Sequence, residues 1–248
     1  MTLGLLPLRP LDASFDGFRN DALFNVTTVM VSVLFVIVSG ILVWSILMHR
    51  QGRNTARYEH GIGRRHLVFT AVITAVIFFG VDGTLLVDSY LDLDQVLWKF
   101  PRAEEHPLEV EVWAQQWAWN IRYAGPDGKF GTPDDVVTLD ELHVPVGRPV
   151  VVHLRSKDVV HSFWAPSFRI KQDAVPGIET RLWFAAKLLG HYELGCAQLC
   201  GVSHYKMRGL ITVESAEAFD AWSRAQSERA RDADDPDDTD AHWGWPWT

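Results

Sequence analysis

Apolar and polar positions divide the chain into two regimes. From Ala22 to Met48 no residue is charged, and Val, Ile, Leu and Phe dominate. At about 1.5 Å per residue, a helix over this run crosses a hydrocarbon core of about 30 Å. A second apolar run, Leu67 to Val81, is shorter. It reaches a full span only with Asp82 and the stretch to Val87 included, and taken alone it also suits a buried core helix. A signal peptide fits the first run poorly. Its flank (Asp12, Asp16, Arg19, Asp21) is not basic, and no small-residue cleavage site follows a short apolar core. From Leu108 the period becomes two: Leu108-Glu-Val-Glu-Val-Trp113 alternates as a half-buried strand does. Strand-like runs follow at 117–123, 136–144, 149–155, 159–164, 180–185, 191–196 and 209–213, with dense turn signals at Gly125-Pro-Asp-Gly128 and Gly131-Thr-Pro-Asp-Asp135. Short strands so punctuated predict a β-sandwich or barrel. After Val213, a Ser cap and acids in the first turn predict a helix.

These patterns predict a mixed membrane protein: a two-helix transmembrane hairpin, an extracytoplasmic β-sandwich and a short C-terminal helix. The expected divisions are an outer N-terminal segment (1–22), the hairpin (23–90), a connector (91–107), the sandwich (108–214), the helix (215–231) and a tail (232–248). The tail carries six Asp from Asp232 to Asp240 and reads as disordered. Its three tryptophans, from Trp243 to Trp247, suit either a partner or membrane contact, or loose packing on the chain's own domain.

Charge sets the orientation. Arg50, Arg53, Arg57, Arg64 and Arg65, against Glu59 alone, place the loop between the two runs in the cytoplasm. Both chain ends then face outward from a bacterial-type inner (cytoplasmic) membrane, into a periplasm where the host has one. From Leu91 onward there are 16 basic and 25 acidic side chains, a net of −9. Nucleic acid is excluded as a partner, and a basic protein is favoured.

Both cysteines of the chain fall in Cys196-Ala-Gln-Leu-Cys200-Gly-Val-Ser-His204-Tyr-Lys-Met207. Outside the cytoplasm two cysteines are by default a disulfide. The spacing with His204 and Met207 points instead to a metal. Thiolate and thioether are soft donors, and methionine is a copper rather than a zinc ligand. A further ligand is expected from His161 in Asp158-Val-Val-His161-Ser-Phe-Trp164, with the Asp158 carboxylate orienting its ring. Two bridging thiolates can hold two coppers that share one unpaired electron, which keeps rearrangement on reduction small. Mononuclear blue copper, with His2Cys and an axial Met, needs only one Cys.

Two outward-ending helices followed by a sandwich carrying Asp-Val-Val-His-Ser-Phe-Trp and Cys-x3-Cys-x3-His-x2-Met resemble subunit II of cytochrome c oxidases, over roughly residues 23–222. Gln116-Trp117-Ala-Trp119 is similar to the family's aromatic motif. The resemblance implies a cupredoxin-like Greek-key fold and a two-copper CuA centre. Cys196 and Cys200 would bridge the metals, and His161 and His204 would each bind one. Met207 and the backbone carbonyl of Gln198 would be the weak ligands. Trp117 aligns with the tryptophan through which electrons arrive from a c-type cytochrome. The implied partners are that cytochrome, the haem-bearing subunit I with other oxidase subunits, and the lipid bilayer. Acids near the site are expected to steer a basic cytochrome, with salt weakening the contact.

The chain departs from the family in three places. Gln198 stands where a Glu usually helps bind magnesium, and a neutral amide is a weak magnesium ligand. His66, Phe69 and Ile73 stand where the second helix usually carries Glu, Trp and Pro at the mouth of a proton channel. A histidine is able to carry protons there in place of the Glu, or the entry differs. No Cys-x-x-Cys-His occurs, so no haem c is expected on this chain. Asp82 is an intramembrane carboxylate candidate, placed either near the outer headgroups or in a proton-related role. The resemblance implies a respiratory terminal oxidase. The alternatives are the equivalent subunit of a haem-copper nitric oxide reductase, or a copper carrier or assembly protein.

Overall fold

The structure, a computed structural model, describes residues 9–50, 58 and 60–233. Arg19–Trp98 form one compact unit; the described residues up to Phe18, together with those from Lys99 onward, form the other.

The first unit is helical. Helix α1 runs over Gly17–Met48. Helix α2 (Arg64–Ile77) continues through a π turn at Phe78–Asp82 into α3 (Gly83–Asp92), and a second π turn carries it to Leu97. The whole forms one 34-residue helix, Arg64–Leu97. The most apolar 18-residue window of each long helix has no buried residue. So much contiguous apolar surface calls for lipid as its solvent. The helices overrun the expected 23–90 hairpin at both ends. At the start, Ser14 Oγ accepts the Gly17 N–H at 2.8 Å, capping a polar first turn (Arg19, Asn20, Asp21) that the apolar run did not reveal. At the end, the second helix continues through Leu97 into the expected connector. Arg64 and Arg65 open α2, whereas Arg53, Arg57 and Glu59 of the expected cytoplasmic loop lie outside the described residues.

The second unit is a sandwich of two five-stranded sheets. Strands β1 (Leu108–Gln115), β2 (Ala118–Tyr123), β3 (Val136–Leu139), β5 (Pro149–Ser156) and β8 (Thr180–Ala185) form one, in the order β3-β2-β1-β5-β8. Strands β4 (Glu141–Pro145), β6 (His161–Ala165), β7 (Ile170–Ala174), β9 (Gly190–Cys196) and β10 (Arg208–Glu214) form the other, in the order β4-β10-β9-β6-β7. The β1–β5 and β4–β10 pairs are parallel and the rest antiparallel. This is the expected cupredoxin-like Greek key. The alternation along β1 sends Val110 and Val112 inward to meet Trp119, Ile121, Leu142, Phe163, Leu194 and Ile211, all fully buried. Each such side chain contributes about 1.5–3 kcal/mol of burial free energy. That core is the rigid platform beneath the loops at one end of the sandwich.

Three details differ from the sequence expectation. The run 136–144 is two strands, because Asp140 takes a left-handed conformation (φ 59°) and passes the chain from one sheet to the other. Strand β7 was not foreseen. It pairs with β6 alone within its sheet, and with Lys171 and Asp173 pointing away from the core its alternation is weak. Residues of the expected separate segment 1–22 add to the sandwich. Ala13 N–H donates to Ser167 O at 2.8 Å, Lys187 N–H donates to Ala13 O at 2.8 Å, and Lys187 Nζ meets Asp12 Oδ2 at 2.8 Å.

Helix α4 (Ala216–Ala233) closes the fold. Ser215 Oγ accepts the Ala218 N–H at 3.2 Å as its cap. Phe219 and Trp222 pack on Tyr123, and Trp222 stacks on His143 with centroids 4.1 Å apart. Further along the helix, Ser227 Oγ donates to Asp134 O at 2.7 Å and Arg231 pairs with the Asp134 carboxylate at 2.8 Å. The acidic, Trp-rich tail from 234 on lies outside the described residues.

Candidate metal centre

The β9–β10 hairpin carries the cluster. Arg208 pairs with Gly195 at its base, and the Cys196 N–H donates to Met207 O at 3.2 Å, so residues 196–207 form one closed loop. The loop is fastened to β6: Phe163 is in register with Cys196, and Ala197 N–H donates to Ser162 O at 3.0 Å. His161 opens β6, so this register brings it beneath the loop. A one-residue slip would turn it to the other face.

The donor atoms converge. Cys196 Sγ and Cys200 Sγ are 3.8 Å apart, and both thiols are free. A disulfide bond is about 2.05 Å long, so the sulfurs face each other without bonding. His204 Nδ1 lies 3.5 Å from Cys200 Sγ. Met207 Sδ lies 3.8 Å from Cys200 Sγ and 3.2 Å from His161 Nδ1. The Gln198 carbonyl oxygen is 3.1 Å from Cys196 Sγ. The donor atoms of His161, Cys196 and Cys200 all fall within 4.8 Å of one another, the one such His/Cys/Asp/Glu group among the described residues. All six expected ligand positions are therefore in one place. Cys200, Met207 and His161 are buried, Cys196 and His204 half-buried, and the Gln198 side chain points to solvent.

Asp158 fixes the His161 ring. His161 Nε2–H donates to Asp158 Oδ1 at 2.8 Å, which leaves the Nδ1 lone pair facing the sulfurs. Burial pushes the Asp158 carboxyl up, but the His161 ring and the Gln116 and Val159 N–H groups more than offset this and hold it below its usual range. Burial also disfavours ionising Cys196, yet contacts to His161 and the Ser162 backbone draw its thiol down. Cys200 is driven the other way, by burial first and then by the neighbouring Cys196 thiolate. Each sulfur's ionisation thus opposes the other's, and a cation between them would relieve that opposition. A soft metal ion fits this donor set: two sulfurs and the His161 nitrogen within 4.8 Å of one another, the Met207 thioether against Cys200 and His161, and the His204 nitrogen beside Cys200.

Trp117 is half-buried beside the loop. Its indole lies against Gly201, the residue after Cys200; a Cβ at 201 would come within 3.2 Å of two indole atoms and 2.7 Å of Gln116 Nε2. Gly201 has φ +125°, a conformation open to glycine alone. Gln116 Nε2 donates to Cys200 O at 2.7 Å, and the Gln116 N–H donates to Asp158 Oδ2 at 2.7 Å. Gln116 and Gly201 are site residues that the ligand pattern did not single out. Their signal is position: Gln116 opens the aromatic motif, and Gly201 follows a ligand. His66 and Asp82 belong to the helical unit, where both are exposed.

The ligand loop itself is not acidic. Cys196 to Arg208 contains no Asp or Glu, whereas Leu199, Val202 and Tyr205 are 77%, 86% and 73% exposed and Lys206 stands beside them. The nearby acids are engaged, Asp158 with His161 and Glu193 with Arg208 at 3.0 Å. The ligand loop thus carries no acid of its own, and its exposed residues include three large apolar or aromatic side chains.

The cytochrome C oxidase subunit II periplasmic domain family matches residues 126–216. An alternative cytochrome c oxidase subunit 2 of Bradyrhizobium diazoefficiens is 38% identical over 154 residues, 53% of this chain and 56% of that protein. The match thus spans about half of that relative's length. A cytochrome c oxidase subunit 2 of Synechocystis is 28% identical over 261 residues, 89% of this chain and 76% of that protein. Among solved structures, the periplasmic domain of cytochrome oxidase subunit II (CoxB) of Bradyrhizobium japonicum is 27% identical, with a TM-score of 0.44, covering 49% of this chain and 94% of that one. Residues 126–216 are thus similar to the periplasmic domain of cytochrome c oxidase subunit II, and over most of its length the chain is similar to a cytochrome c oxidase subunit 2.

Proposed function

We propose that this chain is the copper-bearing, electron-accepting subunit of a respiratory haem-copper terminal oxidase. It takes electrons from a c-type cytochrome and passes them to haem in subunit I, where oxygen is reduced. The observation that carries the reading is the convergence of Cys196, Cys200, His161, His204 and Met207 in one loop region of a cupredoxin-like sandwich. Cys196 and Cys200 would bridge two coppers, His161 and His204 would bind through Nδ1, and Met207 and the Gln198 carbonyl would be the weak ligands. Such a centre supplies one-electron storage with little change in bond lengths.

The protein's part is to hold and orient. Asp158 keeps the His161 lone pair aimed at the sulfurs. The hydrogen bonds that close the loop onto β6 and β10 keep the donors in place in both redox states. Trp117 packs against Gly201, at the edge of the ligand loop, where an incoming electron has a short covalent route to Cys200. Gln198 offers a neutral amide in place of a carboxylate, a weak ligand for magnesium.

Membrane placement follows the same logic. Two lipid-soluble helices anchor the chain in a bacterial-type inner membrane. Residues 13–15, just before α1, are bonded to the sandwich, which supports both lying on one side of the bilayer. The Arg-rich loop then lies in the cytoplasm and the sandwich outside. In the purified complex, reduced cytochrome c should drive oxygen uptake. A complex assembled with Cys200→Ser should leave the haem of subunit I unreduced by that donor. Undiminished uptake by this variant would reject the role.

A further inference from the structure

We infer that Gln116 is a positioning residue that sets the electronic contact between Trp117 and the ligand loop. The inference rests on the proposed electron-accepting role and concerns how that role is achieved. The Trp117 indole N–H is buried and has no hydrogen-bond partner among the described residues. Nothing polar on the ring itself therefore fixes its place, and its neighbours must. Gln116 is the neighbour that reaches the centre twice. Its side-chain amide donates to the Cys200 carbonyl at 2.7 Å, and its backbone N–H donates to Asp158, the carboxylate that orients His161. The residue next to Trp117 is thus tied to one sulfur ligand directly and to one imidazole ligand through a single carboxylate. Gly201 completes the contact by having no side chain: a methyl there would press on Gln116 Nε2 and on the indole together.

Electronic coupling decays much faster across a gap than through bonds and hydrogen bonds. Removing the Gln116 side-chain amide leaves the backbone bond to Asp158 in place but cuts the direct tether to Cys200, which opens the gap between Trp117 and the ligand loop. The ligands themselves are untouched, since no donor atom belongs to Gln116. Two variants open the contact from opposite sides: Gln116→Met, of similar length without a donor, and Gly201→Ala.

The experiment uses the intact complex and stopped-flow mixing with reduced mitochondrial cytochrome c, alongside the copper EPR spectrum of each variant. At saturating cytochrome, the rate of electron arrival should fall by about ten-fold or more in Gln116→Met. The half-saturating cytochrome concentration and the EPR spectrum should stay as in the wild type. Gly201→Ala should lower the same rate. An unchanged saturating rate in Gln116→Met overturns the inference. So does a change confined to the half-saturating concentration, which would make Gln116 a docking contact, or loss of the copper signal, which would make it a support of the ligands. Absence of the copper signal from the wild type would instead sink the proposed function.

Discussion

Replacing Asp158 by Asn tests how the site is held together. Asp158 accepts three N–H groups: Val159 N–H at 2.6 Å and His161 Nε2–H at 2.8 Å on one oxygen, and Gln116 N–H at 2.7 Å on the other. An amide of the same shape has one oxygen and one NH2 group. Whichever way it turns, a donor faces a donor. With the NH2 toward His161 the ring loses its anchor; with the NH2 toward Gln116 the Trp117 turn is pushed away. A hydrogen bond to a charged group contributes about 1.5–3 kcal/mol, and losing a partner of this kind behind a metal ligand costs about 10–100-fold in metal affinity. The side chain is 32% exposed, so solvent screening favours the lower part of that range. Competition with a copper chelator, monitored by the visible absorption of the full-length chain in detergent, measures the affinity directly. Copper retention equal to wild type would refute the claim that Asp158 orients a ligand.

Other expectations follow from burial and charge. Met207 is 1% exposed, and Met207→Leu keeps its volume at a cost under about 1.5 kcal/mol; electrochemistry should show copper retained with a shifted potential, and loss of copper would make Met207 an essential ligand instead. Phe219 is 4% exposed between α4 and the sandwich, so Phe219→Ala should cost about 3–5 kcal/mol and lower the melting temperature while the copper spectrum stays intact. His153 lies between Glu179 at 2.9 Å and Glu109 at 2.7 Å. Burial lowers its pKa, but the two carboxylates outweigh this and raise it above the ordinary 6.5, while His153 and Arg155 hold Glu179 below 4.5. The raised His contributes stability in full below pH 6.5 and loses it as pH rises through its folded value; the depressed Glu contributes above pH 4.5 and loses it on acidification. The melting-temperature gap between wild type and His153→Gln should therefore peak between these limits and shrink on either side. A gap independent of pH would show that the triad carries no charge.

Much of this was legible in the sequence because the chemistry is local. Cys196, Cys200, His204 and Met207 lie within twelve residues, and soft donors at that spacing have few other uses. The β1 alternation and the uncharged run from Ala22 to Met48 each reflect one-sided or complete contact with an apolar medium, and a short window shows that. What escaped depends on distant partners. The stretch 10–16 carries no apolar pattern; its bonds to Ser167 and Ala185 are backbone contacts blind to residue type, and the Asp12–Lys187 ion pair joins residues far apart in the chain. Asp140 breaks a continuous β pattern because its side chain accepts the Trp119 N–H at 2.7 Å, a contact no run of residues reveals. Net acidity describes the whole outer part of the chain and does not say where the acids lie. Much of it sits in the tail, while the ligand loop carries Lys206 and Arg208.

The copper content of the purified full-length chain, read with its EPR spectrum, tests the central claim most directly. Two coppers per chain sharing one unpaired electron over both nuclei is the expected result. One copper per chain with single-nucleus hyperfine splitting, or a chain that holds no copper after chelator washing, would contradict it.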